Sequence, residues 1–338
     1  MQTQGIVLIA VMILASFIVA MATLPYMIQR LKKKGVVTVD RYKRDLRAVP
    51  TRGGVLIIGV VFFIFGIVTL LAHLPAHISM PIHLTDADWG ILIVAGLFGV
   101  FGIVDDFLDV GRPVKILLLF FFSYRLIFEI TSTEVMIPFI GHIDFRVFYL
   151  LMIIPLYVLV TANLVNMHSG FNGLAPGLSA IVIAFLLLKS IMAGSGSNGG
   201  VLLLSSLLGA TLGFLWFNWY PARIFWGNTG SLAIGAAIGA TIVVSGFLVA
   251  GFVMLIPHTV NFLVYAYWRL MHGLHPDDWR WRKVKFGRVR ADGTLEVPNR
   301  LTLKWVLPYY FPMTEKQAVL AMYALTMLFC TAGLFIPG

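Results

Sequence analysis

Three acidic residues at the end of an apolar run are the first group in this sequence whose types and spacing could do chemistry. They are Asp105, Asp106 and Asp109, and helical spacing would place the first and third on one face with Asp106 beside them. A carboxylate costs about 3 kcal/mol at mid-bilayer, so three at a membrane edge need water, a cation or a basic partner. Lys115 follows closely and is a mobile point charge suited to a phosphate. The alternative is an acidic helix end in solvent, which the helix macrodipole disfavours.

Two later segments carry amides and glycines beside apolar runs. Residues 163–174 hold Asn163, Asn166 and Asn172 with two glycines, which offer carbonyl oxygens, amide donors and a backbone that a ligand can approach closely. An ordinary Asn-Gly turn is the alternative. Residues 225–231 are a glycine-bracketed helix start. Such a start binds phosphate through its unpaired backbone N–H groups, or is a plain Asn or Thr cap.

A long basic segment, residues 272–316, precedes the last apolar run. Strand-like runs at 284–289 and 295–297, on both sides of Asp292-Gly293, predict a β-hairpin within it. Arg280 and Arg282, just before the hairpin, could clamp a phosphate, and the tryptophans beside them suit a membrane interface. Interfacial anchoring alone is the alternative function of these residues.

These polar segments interrupt a chain that is otherwise strongly apolar. Of its 338 residues, 59% are hydrophobic and 12% are charged, and the mean hydropathy is +0.91, whereas about 25% of residues are charged in a soluble protein. This composition excludes a soluble enzyme, a disordered chain and a secreted disulfide scaffold. The single cysteine, Cys330, excludes an intramolecular disulfide and a thiolate metal site.

Ten apolar runs are candidates to cross a bilayer as helices, because about 20 apolar residues span its core and a helix satisfies their backbone. The fourth and sixth runs carry charged residues, so nine or eleven helices stay open. The sequence predicts an all-α polytopic membrane protein with a single transmembrane catalytic domain over residues 1–338, in which 272–316 is a cytoplasmic loop subregion. The predicted spans are 5–24, 55–72, 89–104, 116–130, 147–165, 177–188 with its continuation, 201–219, 232–248, 249–268 and 318–335.

The basic residues predict the orientation of these spans. If ten helices alternate, the odd-numbered loops contain 22 of the 25 Lys and Arg, so the positive-inside rule places these loops in the cytoplasm and both termini outside. The first run is not a cleaved signal peptide, because no basic residue precedes it and three lysines, residues 32–34, follow it. The net charge of +10 is then mostly a cytoplasmic face for anionic lipid headgroups or an anionic substrate, and no nucleic-acid partner is expected.

The order of these motifs resembles the polyprenyl-phosphate N-acetylhexosamine-1-phosphate transferases, the MraY/WecA superfamily. The matching segments are Asp-Asp-x-x-Asp at 105–109, Asn-x-x-Asn at 163–166, Gly-x-Asn-Gly-Leu at 170–174 and Gly-Asn-x-x-Ser at 227–231, followed by the basic loop. The resemblance covers essentially the whole chain. It looks closest to the dolichyl-phosphate GlcNAc-phosphotransferase branch, because residues 169–174 lack the two Asp of the bacterial MraY loop. The eukaryotic enzymes of that branch are longer, so the resemblance favours an archaeal protein of the plasma membrane.

The resemblance implies a Mg2+-dependent reaction, with Mn2+ as an alternative ion, in which UDP-GlcNAc and a polyprenyl (dolichyl) phosphate give GlcNAc-diphosphate-polyprenol and UMP. An all-oxygen site suits Mg2+, which keeps several waters and shares substrate phosphates. The family's uracil-binding positions fall on Asn172 and Phe225. By position, the other implied roles are catalysis for Asp105 and Asp106, phosphate binding for Lys115, metal ligation for Asn166, Asn228 and Asp105, and substrate binding for Asn163, Arg280 and Arg282.

Two departures from the family pattern keep other functions open. Asn228 stands where most members have a metal-binding Asp, and Asp277-Asp278 interrupts the His-Pro-Arg-His-Arg motif of the last loop. A catalytically inactive member that binds a nucleotide sugar or lipid phosphate is therefore one alternative. A transporter is another, since it would also carry intramembrane charge, but it predicts polar residues on both membrane sides and an internal repeat, which the sequence lacks. The identity of the UDP-sugar, the polyprenol length and a homodimer stay open. So does the role of Asp106, either as a base in a direct attack or as the nucleophile of a two-step route.

Overall fold

The structure, a computed structural model, describes residues 3–73, 84–108, 110–194 and 200–337. Within these ranges the chain forms a helical bundle, which confirms the predicted all-α membrane fold. The α-helices are α1 (Thr3–Lys33), α2 (Gly54–Ala72), α3 (Asp86–Leu108), α4 (Arg112–Phe122), α5 (Arg146–Phe148), α6 (Ile154–Met167), α7 (Leu174–Met192), α8 (Val201–Asn218), α9 (Gly227–Val244), α10 (Leu248–Met254), α11 (Ile256–Leu274), α12 (Leu303–Tyr310) and α13 (Glu315–Leu334).

Eight helices of the described part are long and apolar enough to cross a membrane, and a bent pair makes a ninth. One of the eight is Arg146–Met167, in which α5 and α6 are joined through a π-helix, Tyr149–Ile153. The others are α1, α2, α3, α7, α8, α9 and α13, and the bent pair is α10 with α11. The count agrees with a polytopic membrane protein of about ten spans.

The fourth predicted span is helical but divided. Helix α4 continues directly into a 3-10 helix, Ser123–Glu129. Lys115 near its start contacts Asp105 near the end of α3, whereas Glu129 packs against Gly90 near the start of α3. Asp105 and Gly90 are about 22 Å apart along α3 at the α-helical rise. The 3-10 part of the fourth span can cover such a length with few residues, because its rise per residue is larger than that of an α-helix. The segment therefore runs along most of the length of α3.

The ninth predicted span is broken in the structure. Helices α10 and α11 meet at an angle of 65° near Leu255. Pro257 lies in the first turn of α11, a position where proline is tolerated because the N–H that it lacks would be unpaired there anyway. The sequence analysis treated residues 249–268 as one run, so the break corrects that prediction.

The strands form three small antiparallel hairpins. The predicted hairpin of the last loop is confirmed: it turns at Asp292-Gly293, where Gly293 has φ +86 and the N–H of Arg290 donates to the carbonyl oxygen of Thr294 at 2.8 Å. Its strands are shorter than the predicted runs. The strand pairs are β1 (Val37–Val39) with β2 (Ala48–Pro50), β3 (Glu134–Ile137) with β4 (Gly141–Asp144), and β5 (Arg288–Val289) with β6 (Leu295–Glu296).

Helix α9 lies at the centre of the bundle and positions the polar residues. Every residue of its stretch from Thr229 to Val243 is buried, and it packs against α2, α3, α6 and α7. Its Gly and Ala residues permit this, because small side chains let membrane helices approach closely. A second core at one end of the bundle includes Tyr42, Phe171 and Trp305. It joins the loop between α1 and α2 and the last loop to the start of α7.

Candidate active site

The predicted acid pair lies in the last turn of α3, where α3 crosses the start of α9 at close range. Gly102 has no room for a side chain, since a Cβ there would lie 2.6 Å from the Cα of Thr229. Gly227 is also confined, because its Cβ would lie 3.0 Å from Oδ2 of Asp106. The two glycines thus bring the acids against the first turn of α9. Asp109, the third predicted acid, lies outside the described residues.

Asp105 forms an ion pair with Lys115, which the sequence placed nearby. The Nζ atom of Lys115 lies 2.8 Å from Oδ2 of Asp105, and the two side chains are 16% and 9% exposed. The Nδ2 atom of Asn228 donates a hydrogen bond to the same oxygen at 3.2 Å. The amide nitrogen of Asn228 is thus engaged with Asp105. The Oδ1 atom of Asn228 is the one available to accept a hydrogen bond from a ligand or to coordinate an ion. Three of the predicted site residues therefore meet at one carboxylate.

Asp106 lies against the N-terminus of α9. The Oγ1 atom of Thr229 donates to Oδ2 of Asp106 at 3.5 Å, and the backbone N–H groups of Asn228 and Thr229 face the same carboxylate. A negative charge is favoured at a helix N-terminus by the macrodipole. The start of α9 is predicted from the sequence to bind phosphate. In the structure, the carboxylate of Asp106 lies at this helix start.

Arg52 belongs to the same group of side chains and was missed from the sequence. Its Nη2 atom donates to the backbone oxygen of Asp106 at 2.6 Å, and its guanidinium carbon lies 4.0 Å from the ring centroid of Phe107. An arginine here compensates the carbonyl oxygens that end α3. Arg52 lies 54 residues before Asp106 and contacts its backbone, so no local pattern could have predicted the contact.

The segment that carries Phe225 is fixed by backbone pairing with the loop between α1 and α2. The N–H of Phe225 donates to the carbonyl oxygen of Pro50, and the N–H of Gly53 donates to the carbonyl oxygen of Phe225, both at 2.8 Å. The side chain of Phe225 is half-buried. Its backbone is therefore held rigidly next to the start of α9. The stacking of Phe225 on uracil stays a prediction.

The two asparagines at the end of α6 differ in their partners. The Oδ1 atom of Asn166 accepts a hydrogen bond from Oγ of Ser231 at 2.7 Å, which ties α6 to the first turns of α9. Asn163, one turn earlier, donates from Nδ2 to the carbonyl oxygen of Leu159 within its own helix at 2.8 Å. Asn166 is therefore connected to the group around Asn228, whereas no contact of this kind is seen for Asn163 among the described residues.

Asn172 lies in a buried polar network. Its Nδ2 atom donates to Asp40 at 3.0 Å, its Oδ1 atom accepts from the N–H of Ala222 at 2.8 Å, and its own N–H donates to Glu315 at 2.6 Å. The Nζ atom of Lys43 lies 2.6 Å from the Glu315 carboxylate and 3.3 Å from that of Asp40. Through these bonds, Asn172 holds three segments of the chain together. Its contact with uracil stays a prediction.

The predicted arginines of the last loop face solvent. Arg280 makes an exposed ion pair with Asp278 at 2.7 Å, and its guanidinium lowers the pKa of that carboxyl group. Arg282 is exposed as well. A lysine of the same loop lies closer to the site: Lys304 donates from Nζ to the carbonyl oxygen of Ser169 at 2.5 Å. Ser169 in turn bonds the backbone of Asn166 at 3.0 Å.

The oxygen atoms where α3 meets α9 fit a Mg2+ ion that shares its coordination with a substrate. They are hard donors, which this ion prefers, and two of them already bind a lysine and a serine of the chain. In the described ranges, no three His, Cys, Asp or Glu side chains form a metal cluster. The residues therefore suit an ion completed by water and phosphate oxygens. The donors belong to Asp105, Asn166 and Asn228.

Comparison with known proteins finds one family. Residues 89–246 match the description glycosyl transferase family 4. A protein of Saccharolobus solfataricus, named for UDP-N-acetylglucosamine–dolichyl-phosphate N-acetylglucosaminephosphotransferase activity, is 30% identical over 96% of this chain and 95% of its own length. A protein of the same name from Sulfolobus acidocaldarius is 30% identical over 94% of this chain and 92% of its own length. A phospho-N-acetylmuramoyl-pentapeptide-transferase of Clostridium botulinum is 32% identical over 63% of this chain and 65% of its own length.

Proposed function

Because this chain belongs to glycosyl transferase family 4 and is a phospho-sugar transferase that acts on a lipid phosphate, we propose that its donor is UDP-GlcNAc and its acceptor is a polyprenyl (dolichyl) phosphate. The products are GlcNAc-diphosphate-polyprenol and UMP. The observation that carries this proposal is the junction of α3 and α9, where two carboxylates, a lysine and Asn228 meet at the end of membrane helices.

The proposed reaction is a direct displacement at phosphorus. An oxygen of the lipid phosphate attacks the β-phosphorus of UDP-GlcNAc and forms a new P–O bond, while the bond from that phosphorus to the bridging oxygen breaks and its electron pair leaves with UMP. Asp106 accepts the proton when the attacking phosphate carries one, as a general base does. The hydroxyl of Thr229 and the N–H groups at the start of α9 orient this carboxylate.

Charge on the diphosphate is balanced by the cations of the site. Lys115 binds phosphate as a point charge on a flexible stem, and Arg52 adds a second positive charge next to Asp106. Mg2+, or Mn2+ in its place, supplies electrostatic stabilisation of the phosphate oxygens when it is bound. Asn228, Asn166 and Asp105 provide the protein oxygens for that ion.

The nucleoside is proposed to lie between Phe225 and the loop that carries Asn172, with the sugar toward Asn163 and the last loop. The backbone pairing of Phe225 with residues 50–53 and the polar network of Asn172 support this placement, because both make the walls rigid. A rigid wall orients a bound substrate at little entropic cost. Arg280 and Arg282 then contribute long-range attraction for an anionic substrate.

The active site is proposed to face the cytoplasm. Its residues lie at the ends of α3 and α6 and the starts of α9 and α13, next to the loops that contain most of the Lys and Arg. The positive-inside rule favours the cytoplasm for such loops. Both termini are then outside, in an archaeal plasma membrane.

A second candidate, a protein that binds the nucleotide sugar without turnover, is favoured by Asn228. The test is release of UMP from a panel of UDP-sugars by the purified full-length chain with a polyprenyl phosphate, with and without Mg2+ or Mn2+. Transferase activity predicts UMP release that requires both lipid phosphate and metal. Nucleotide binding without UMP release from any donor would instead establish the binding-only function.

A further inference from the structure

The charge of Asp105 is balanced by another side chain of the protein. Lys115 and Asn228 both donate to Oδ2 of Asp105, at 2.8 and 3.2 Å. The side chains of the ion pair are mostly buried. The attraction between an ammonium and a mostly buried carboxylate is stronger than in water, so Lys115 compensates the charge of Asp105.

The remaining protein oxygens offer little to a bare divalent ion. Asn228 is neutral and turns its amide nitrogen toward Asp105, and Oδ1 of Asn166 accepts from Ser231. The two carboxylates, Asp105 and Asp106, are matched by the two cations, Lys115 and Arg52. Among the described residues, these four side chains carry no net charge. The affinity of an oxygen site for a divalent ion rises with the charge of its ligands.

We propose that Lys115 is the resident counter-cation of Asp105, and that a divalent ion binds this chain only together with the nucleotide diphosphate. Lys115 then leaves Asp105 for a phosphate oxygen, and Asp105 becomes a ligand of the ion. This inference rests on the proposed function, because it requires that a nucleotide diphosphate binds where α3 meets α9.

The exchange follows from charge balance. An ammonium and a divalent ion repel each other strongly at one carboxylate oxygen, so Lys115 moves away from Oδ2 of Asp105 when the ion binds there. A diphosphate brings negative charges of its own, which provide Lys115 with a new partner and the ion with the missing ligands. Lysine is suited to this role because its charge sits on a long flexible stem. The neutral Asn228 contributes to this dependence on the nucleotide. An Asp at this position would add one negative charge, which would attract the ion even without a diphosphate.

The test measures binding of Mn2+ by electron paramagnetic resonance, in which the signal of the hydrated ion disappears on binding. The purified full-length chain is titrated with Mn2+ alone and with Mn2+ plus UDP, against a protein-free Mn2+ and UDP reference. The wild type should bind Mn2+ about tenfold or more tightly when UDP is present, since added ligand charge strengthens such a site. Equal Mn2+ affinity with and without UDP would overturn the proposal.

Two variants test the role of Lys115 and Asn228 directly. Lys115→Gln frees Asp105 and Asn228→Asp adds a carboxylate, so each should bind Mn2+ without UDP about tenfold or more tightly than the wild type does. Lys115→Arg keeps the cation and should behave like the wild type. Lys316→Gln removes an exposed lysine and is the matched control. If Lys115→Gln, Asn228→Asp and the wild type all show the same weak binding, Lys115 is not the counter-cation.

Failure of the proposed function has a different signature. Equilibrium dialysis with labelled UDP, on the same samples, reports nucleotide binding independently of the ion. If the wild type elutes as a folded protein in size-exclusion chromatography but does not bind UDP, both the nucleotide site and the inference are rejected. Bound UDP with UDP-independent Mn2+ binding would reject the inference alone and leave the transferase function standing.

Discussion

Asp105 and Asp106 are adjacent in sequence but differ in their surroundings. Asp105 is neutralised by the Lys115 ammonium at 2.8 Å. Asp106 is stabilised by the hydroxyl of Thr229 and the N–H groups at the start of α9. The carboxylate of Asp105 is thus paired with a cation, whereas that of Asp106 has neutral hydrogen-bond donors. This difference supports Asp106 as the general base of the proposed reaction.

Replacing Asp106 by Asn should cut turnover by about 100-fold or more, the range expected for loss of a general base. Binding of UDP-GlcNAc should stay near normal, because the substitution keeps the shape of the side chain. Turnover and nucleotide affinity are compared with those of Asp292→Asn, which alters an exposed hairpin carboxylate. A loss below about tenfold would fall short of that range and count against catalysis by Asp106.

Lys304 provides a residue-scale test that depends on pH. Burial lowers the pKa of Lys304 to about 8 from the ordinary 10.5. Unfolding therefore takes up a proton between about pH 8 and 10.5, and this lysine makes the folded state more stable as pH rises across that window. Thermal unfolding of the wild type and of Lys304→Met, measured from pH 7 to 10, should show the wild type gaining stability relative to the variant above pH 8. Parallel curves would contradict this account.

At the scale of elements, the active site depends on the contact of α3 with α9. Both Gly102 and Gly227 approach the neighbouring segment so closely that a side chain would displace it. This contact brings the acids of α3 to the polar start of α9, and Ser231 adds α6 through Asn166. The site is thus made by three helix ends and not by a single loop.

Gly102→Ala should disrupt this contact. Its Cβ would lie 2.6 Å from the backbone of Thr229, and overpacking of this kind costs about 1–3 kcal/mol. We expect a lower unfolding temperature in detergent and a fall in turnover. Gly59→Ala, where a Cβ meets nothing within 4 Å, is the matched control and should lower neither, since alanine favours the helix. Equal behaviour of the two variants would show that the helix contact is looser than the structure indicates.

Local patterns were sufficient for some elements and failed for others. The Asp-Gly hairpin and the proximity of Lys115 to Asp105 follow from residues at most ten positions apart. The partners of Asn172 lie 50, 132 and 143 residues away, so its network could not be inferred from spacing. The fourth span was weak in the sequence because its 3-10 part carries an ion pair, Arg125 with Glu129, whose charges lower its hydropathy.

At the scale of the whole molecule, the two ends of α9 mark the two ends of the bundle. Its first turn contacts Asp106, while near its last turn the hydroxyl of Tyr149 donates to the carbonyl oxygen of Val243 at 3.1 Å. The β5–β6 hairpin belongs to the last loop at the active-site end. The β3–β4 hairpin directly precedes Tyr149 in sequence and so belongs to the other end.

Cysteine labelling tests the orientation that follows. On a Cys330→Ala background, Phe139→Cys in the β3–β4 turn and Asp292→Cys in the β5–β6 turn are both exposed positions. A membrane-impermeant maleimide applied to intact cells should label position 139 only, and position 292 should react after the membrane is opened. Labelling of 292 alone in intact cells would place the active site outside.

The central claim is that this chain transfers a sugar together with its phosphate. It is tested most directly with UDP-GlcNAc labelled in the β-phosphate, incubated with the purified chain, polyprenyl phosphate and Mg2+. The account predicts that the label appears in the lipid fraction in step with release of UMP, and that Asp106→Asn abolishes most of both. Release of UDP with the label still attached, or of labelled inorganic phosphate, would contradict it.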